Sequence, residues 1–244
     1  MLTAYDYPSA KILDECGVDI ILVGDSCGMV VMGRPDTLSV TMDEMVHHTR
    51  MVSRGVKNSL LVADMPFLSY QISPQEALRN AGRFLAEAGA NAVKLEGSVA
   101  KFGESISAIL RSGIPVMGHI GMTPQSVNQF GGFKVQGRAP ESRARLREEA
   151  RGLDEAGCFA LVLECIPADL AAEITADVSI PTIGIGAGPS CDGQVLVLHD
   201  ILGWGATRFS KTFGDVRSLM REACTGFIEE VKAGKFPGKE HEFK

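Results

Sequence analysis

The chain has 244 residues, 45% of them hydrophobic and 22% charged, a composition that folds rather than stays disordered. Its 30 acidic against 24 basic side chains give a formal net charge of −6, without the basic stripe that a general nucleic-acid binder needs. The apolar runs, such as 18–23, are far too short to cross a bilayer, and Met1-Leu2-Thr3 leads directly into polar Tyr5-Asp6-Tyr7, so neither a membrane span nor a signal peptide is expected.

Residues 2–5 are the first candidate strand. Apolar runs that end in a polar residue or a Gly-marked turn then recur at 20–25, 60–64, 92–96, 115–119, 161–164 and 181–186. Continuous apolar runs of this length suit parallel strands covered on both faces. Helical patterns lie between them: 42–53, then 74–89 with Ser73 as N-cap and Pro74 at the first helical position, then 141–157. Residues 207–213 are a candidate final strand, 215–232 an amphipathic helix, and a polar tail begins at about 233. Six βα units, with a candidate strand at each end, fit an α/β fold of the closed (β/α)8 TIM-barrel type, which typically takes about 250 residues. An open doubly wound sheet is the alternative, since local pattern does not report closure. No low-complexity linker interrupts the chain, so residues 1–244 are read as one barrel domain. The six cysteines (Cys16, Cys27, Cys158, Cys165, Cys191, Cys224) contain no Cys-x-x-Cys pair, and a reduced, cytoplasmic chain is the plain reading.

In such barrels chemistry sits at the carboxyl ends of the strands. Those ends here read Asp25, Asp64, Glu96, His119 and Glu164. Each acid alone is as well explained as a helix cap or a surface ion-pair partner. Four acids at one topological position are not, and so much negative charge in a partly desolvated mouth calls for a counter-ion. Oxygen ligands favour a hard divalent ion such as Mg²⁺. Strand alternation puts Lys94 on the same face as Glu96, where it can neutralise a substrate anion. His119 is read either as a donor or acid toward a substrate oxygen or as a satisfied structural histidine. The Gly-rich run 184–193 matches no dinucleotide fingerprint and reads as a tight βα loop. The basic, glycine-flanked segment 131–138 is read as a lid or a plain connection.

Many strings occur together in one order: Thr3-Ala4-Tyr5-Asp6-Tyr7, Val23-Gly24-Asp25-Ser26, Ala63-Asp64-Met65-Pro66-Phe67, Val93-Lys94-Leu95-Glu96-Gly97, Gly118-His119-Ile120-Gly121, Thr123-Pro124-Gln125-Ser126-Val127, Leu163-Glu164-Cys165 and Ile183-Gly184-Ile185-Gly186-Ala187-Gly188. Together they closely resemble the ketopantoate hydroxymethyltransferase family, from Thr3 to about Phe243. The resemblance implies a (β/α)8 barrel related to phosphoenolpyruvate mutase and isocitrate lyase. It implies transfer of a hydroxymethyl group from 5,10-methylenetetrahydrofolate to 3-methyl-2-oxobutanoate, giving 2-dehydropantoate through a Mg²⁺-stabilised enolate, in pantothenate and coenzyme A biosynthesis. It further implies that Asp25, Asp64 and Glu96 hold Mg²⁺ directly or through water. Asp25, Ser26, Asp64 and Lys94 would contact the keto acid, and Glu164 would accept the proton. A cytoplasmic homodecamer is implied as well. The rival readings are a C–C lyase or mutase of the same superfamily acting on another 2-oxo acid, and a non-catalytic barrel subunit.

Overall fold

A computed structural model describes residues 1–205 and 207–243; Ala206 and Lys244, the last residue of the expected tail, lie outside them. The chain divides into two units, Met1–Val197 and Leu198–Lys244. The first is built on β1 (Leu2–Thr3), β2 (Ile20–Val23), β3 (Leu60–Asp64), β4 (Ala92–Lys94), β5 (Val116–Gly121), β6 (Ala160–Glu164), β7 (Thr182–Ile185) and β8 (Gly193–Gln194). Each strand pairs in parallel with the next in chain order. The sheet then meets itself. Leu2 bridges Leu196 in parallel, and the Thr3 N–H donates to the Leu196 carbonyl at 3.3 Å. A doubly wound sheet reverses its strand order, whereas sequential order with closure is a (β/α)8 barrel.

Between the strands lie α1 (Tyr7–Glu15), α2 (Cys27–Val30), α3 (Met42–Ser53), α4 (Pro74–Ala86), α5 (Val99–Arg111), α6 (Val127–Phe130), α7 (Pro140–Glu155) and α8 (Ala168–Asp177). Their starts are written locally. Thr41 and Glu44 form a reciprocal capping box on α3. Ser73 accepts from the Glu76 N–H at 3.1 Å, with Pro74 at the first position of α4. No helix among the described residues is long and apolar enough to cross a membrane.

Leu22, Val62, Ala92, Met117, Val162, Ile183 and Val195 form a single buried cluster with Ala160. They come from successive strands, so this cluster fills the barrel interior. Side chains two apart on a strand share a face. One step of two from Val62 is Asp64, from Ala92 is Lys94, from Met117 is His119, and from Val162 is Glu164. The apolar floor and the polar mouth are therefore two layers of one inward face.

The second unit contains α9 (Leu198–Ile201) and α10 (Val216–Lys232), the latter capped by Asp215, whose side chain accepts from the Ser218 N–H at 3.0 Å. The expected last strand at 207–213 is not one. Thr207 and Ser210 close a turn, and the Phe213 and Gly214 N–H groups both donate to the Ile201 carbonyl. The eighth strand is instead the two residues Gly193–Gln194, at the end of the Gly-rich run 184–193 that the sequence marks as a loop.

Asp14 on α1 anchors the segment entering β3. Its carboxylate accepts from the N–H groups of Ser59 at 2.8 Å and Asn58 at 2.9 Å, and from the Asn58 side-chain amide at 3.0 Å. The Ser59 and Asn58 backbone bonds hold its pKa below the usual carboxylate range. A depressed folded pKa contributes stability above the unfolded value of about 3.9, and that contribution is lost as pH falls through the folded value. Asp14→Ala is expected to lower Tm at pH 7, with the gap from wild type narrowing below about pH 4. Thermal melts across pH check this, and a gap independent of pH contradicts it.

Candidate active site

The mouth of the barrel gathers five ionisable side chains that are almost fully buried: Asp25, Asp64, Lys94, Glu96 and His119. Glu164 stands beside them with 15% of its side chain exposed. Asp64 and Lys94 face each other across β3 and β4, where their Cα atoms are register partners, and the Lys94 Nζ lies 2.7 Å from Asp64 Oδ1. Asp25 is not on a strand. It follows β2 in the turn Gly24-Asp25-Ser26, and its N–H points at Asp64 Oδ2 at 3.4 Å. Glu96 lies two residues past β4, its N–H donating to the Tyr70 hydroxyl at 3.1 Å. His119 is not at a strand end, since β5 runs on to Gly121.

Three buried carboxylates thus surround one ammonium. Burial, then the repulsion of Asp64, pushes the Asp25 carboxyl up to about 7. Burial and the Asp25 charge push Glu96 well above the carboxylate range. Burial works against the Lys94 ammonium, but Asp64, Glu96 and Asp25 together hold its pKa above the usual lysine value. The charges stay out of balance by about two negative units when all four groups are ionised. Among the described residues, no three His, Cys, Asp or Glu side chains form a ready-made cation cage.

His119 links this cluster to Glu164. Its Nδ1 is 3.3 Å from Lys94 Nζ and 3.6 Å from Glu96 Oε1, and its Nε2 is 3.2 Å from Glu164 Oε2. Burial and the Lys94 charge keep its pKa well below the ordinary histidine value, so the ring is neutral. A neutral ring that accepts from the Lys94 ammonium at Nδ1 carries its proton at Nε2, the nitrogen nearest Glu164. Burial lifts the Glu164 carboxyl to about 7, against the pull of Lys94. Its backbone is held tightly, with the Met122 N–H donating to the Glu164 carbonyl at 2.8 Å. Gly121 makes that approach possible: its φ is +96°, and a Cβ there would lie 2.3 Å from the Glu164 oxygen.

Ser26 is half-buried and shares a hydrogen bond of 2.9 Å with the Tyr5 hydroxyl. Tyr5, Tyr70 and Gln125 belong to the site and carried no separate signal in the sequence. Gln125 reaches both Asp25 and Glu96 from the turn after β5. The Thr123-Pro124-Gln125 turn just past a strand was the available clue. The segment 131–138 is mostly exposed, and its Gln136 N–H donates to the Cys165 carbonyl at 2.9 Å, next to Glu164.

A closed barrel whose carboxyl-end mouth combines buried acids, a lysine and a separate carboxyl has the arrangement of an enzyme active site. The ketopantoate hydroxymethyltransferase family model matches residues 1–239. A 3-methyl-2-oxobutanoate hydroxymethyltransferase of Clostridium novyi (strain NT) is 59% identical over 247 aligned residues, covering 100% of this chain and 90% of that one. Among solved structures, a phosphonopyruvate hydrolase in complex with oxalate and Mg⁺⁺ matches at TM-score 0.63 and 14% identity, over 97% of this chain and 83% of that one. A 2,3-dimethylmalate lyase, described as a PEP mutase/isocitrate lyase superfamily member, matches at TM-score 0.60 and 20% identity, over 100% and 85%. The chain belongs to the ketopantoate hydroxymethyltransferase family.

Proposed function

We propose that this chain transfers a hydroxymethyl group from 5,10-methylenetetrahydrofolate to 3-methyl-2-oxobutanoate, as an enzyme of pantothenate biosynthesis. The family match supports the reaction. The observation that carries the mechanism is the separation of Glu164 from the Asp25–Asp64–Glu96 cluster, with His119 between them.

The cluster suits a divalent cation. Its donors are all carboxylate oxygens, and burial together with their mutual repulsion drives Asp25 and Glu96 toward their protonated forms. Mg²⁺ typically takes one or two carboxylates and completes its shell with water and substrate oxygens, so a three-residue cage is not required. Asp25 and Asp64 would hold the ion, with Glu96 acting directly or through water. When bound, it would supply Lewis-acid polarisation of the 2-oxo group.

The chain's own groups do the rest. Lys94, already ionised, binds the substrate anion, and Ser26 and Asp25 orient it. Glu164 accepts the proton from C3, and the electron pair of that C–H bond forms the enolate. C3 then bonds to the one-carbon unit, both folate C–N bonds (to N5 and N10) break, water supplies the hydroxyl oxygen of 2-dehydropantoate, and the proton from C3 and the protons of that water end on the two folate nitrogens and the new hydroxyl. His119 Nε2 lies 3.2 Å from Glu164 Oε2 without a formed hydrogen bond, and a small turn of either side chain would let it donate to the ionised carboxylate. Assembly as a homo-oligomer, a decamer, is what the family resemblance implies.

The test is turnover of 3-methyl-2-oxobutanoate with methylenetetrahydrofolate, with oxaloacetate and methylisocitrate as rival substrates. Excess chelator is expected to abolish transfer and added Mg²⁺ to restore it. A rate untouched by chelator contradicts the metal role, and turnover of the rivals alone contradicts the transferase reading.

A further inference from the structure

Gln125 sits at the centre of the mouth and is buried. Its side-chain amide is fully used, and in one sense only. Nε2 donates to Asp25 Oδ2 at 2.9 Å and to the Met65 carbonyl at 2.9 Å. Oε1 accepts from the Tyr70 hydroxyl at 2.9 Å and from Gln71 Nε2 at 3.1 Å. A flipped amide would set its oxygen against Asp25 Oδ2 and the Met65 carbonyl and one N–H against the Gln71 amide nitrogen, keeping at best a bond to the Tyr70 hydroxyl, whose proton can turn to the Glu96 carbonyl at 3.0 Å. The backbone of the same residue donates to Glu96 Oε2 at 2.9 Å. Tyr70 closes the circuit, taking the Glu96 N–H at 3.1 Å and stacking edge-on against Phe102 with ring centroids 5.3 Å apart.

One residue therefore holds one oxygen of each of two acids that follow different strands, a hundred positions away in the chain for Asp25. Lys94 offers these mutually repelling carboxylates a shared charge, whereas Gln125 hydrogen-bonds to both. We infer that Gln125 is a positioning residue that fixes the Asp25 and Glu96 carboxylates, through its side-chain amide and its backbone N–H respectively, so that the free oxygen of each faces a divalent cation. This rests on the cation reading of the same cluster given above. Gln125 would act on the ion only through these carboxylates, since both ends of its amide are taken up by protein groups. Its task is to prepay the ordering of the ligands, the kind of outer-shell support whose loss typically weakens metal affinity or activity about 10–100-fold.

The experiment measures Mn²⁺ binding to the free protein by electron paramagnetic resonance, with no substrate present, alongside thermal unfolding. The variants are Gln125→Met, which keeps length and removes the amide, and Tyr70→Phe, which keeps the ring and removes one of the two donors to Oε1. Wild type is expected to bind Mn²⁺. Gln125→Met is expected to bind about 10–100-fold more weakly, and Tyr70→Phe more weakly than wild type but less so than Gln125→Met. If Gln125→Met does not fold, Tyr70→Phe decides alone. Residual transfer by the variants is expected to need correspondingly more Mg²⁺, with kcat at saturating Mg²⁺ recovering further than kcat/KM at limiting Mg²⁺. A purely structural role would lower Tm and leave the Mn²⁺ affinity of the folded protein unchanged. Equal Mn²⁺ affinity in wild type and the folded variants overturns the positioning role and leaves the cation reading standing. A wild-type protein that binds no Mn²⁺ overturns the cation reading and this inference with it.

Discussion

Glu164→Gln is expected to lower kcat by about 10²–10⁴-fold while leaving the KM for 3-methyl-2-oxobutanoate within a few-fold of wild type. The amide keeps the shape and the approach of His119 Nε2 but cannot accept a proton. In the wild type, the free-protein carboxyl near 7 is expected to set the acid limb of kcat/KM. Below that value Glu164 already carries a proton, so kcat/KM is expected to fall about tenfold per pH unit as pH drops further. Stability should move the other way. A carboxyl whose folded pKa is raised contributes most when protonated, and that contribution is lost as pH rises from the unfolded value of about 4.3 through 7. At pH 8 the wild type bears this cost and Glu164→Gln does not. The variant should therefore be more stable there by an amount on the order of 3–4 kcal/mol, while being nearly inactive. Steady-state kinetics and denaturant unfolding at pH 5 and pH 8 check both halves. A variant that is less stable at pH 8, or that keeps more than a tenth of the rate, contradicts the assignment.

Lys94→Met is expected to have the second large effect. The methionine fills much of the same volume but removes the ammonium that sits 2.7 Å from Asp64 Oδ1. Breaking a buried pair by removing one member typically costs about 3–5 kcal/mol, because the remaining charge is left uncompensated. Here three acids lose their shared cation, so the loss should lie toward the upper end at pH 8. A divalent cation offsets the same imbalance. Added Mg²⁺ should therefore raise the Tm of Lys94→Met more than it raises that of wild type. The KM for the keto acid should rise as well, since its carboxylate loses a partner. Unchanged Tm with and without Mg²⁺ contradicts the charge balance argued for the mouth.

The six long strands are legible because parallel strands buried on both faces must be continuously apolar, and the runs around Ile21, Val62, Val93, Met117, Val162 and Ile183 are. The inward register of Lys94 follows from the same alternation. β8 is not legible, because Gly193–Gln194 is two residues long and has no apolar pattern; side-chain bonds from Asp192 to Thr182 steady the chain there. Residues 207–213 mislead for the opposite reason: Phe209 and Phe213 supply apolar side chains that the structure leaves exposed. In the mouth, the acids and Lys94 announce themselves by charge at or just past strand ends, and His119 by an imidazole in an otherwise apolar run. Gln125 and Tyr70 do not, since a neutral amide and a phenol in loops acquire their significance only from what the fold brings beside them.

The central claim is that Glu164 removes the C3 proton of the bound keto acid. Its most direct measurement is exchange of that proton for deuterium, followed by NMR with the protein, Mg²⁺ and 3-methyl-2-oxobutanoate in D2O, and no folate present. Wild type is expected to wash deuterium into C3, and Glu164→Gln, still binding the keto acid, is expected to slow this by about 10²-fold or more. Exchange at equal rates in the two proteins would contradict the account.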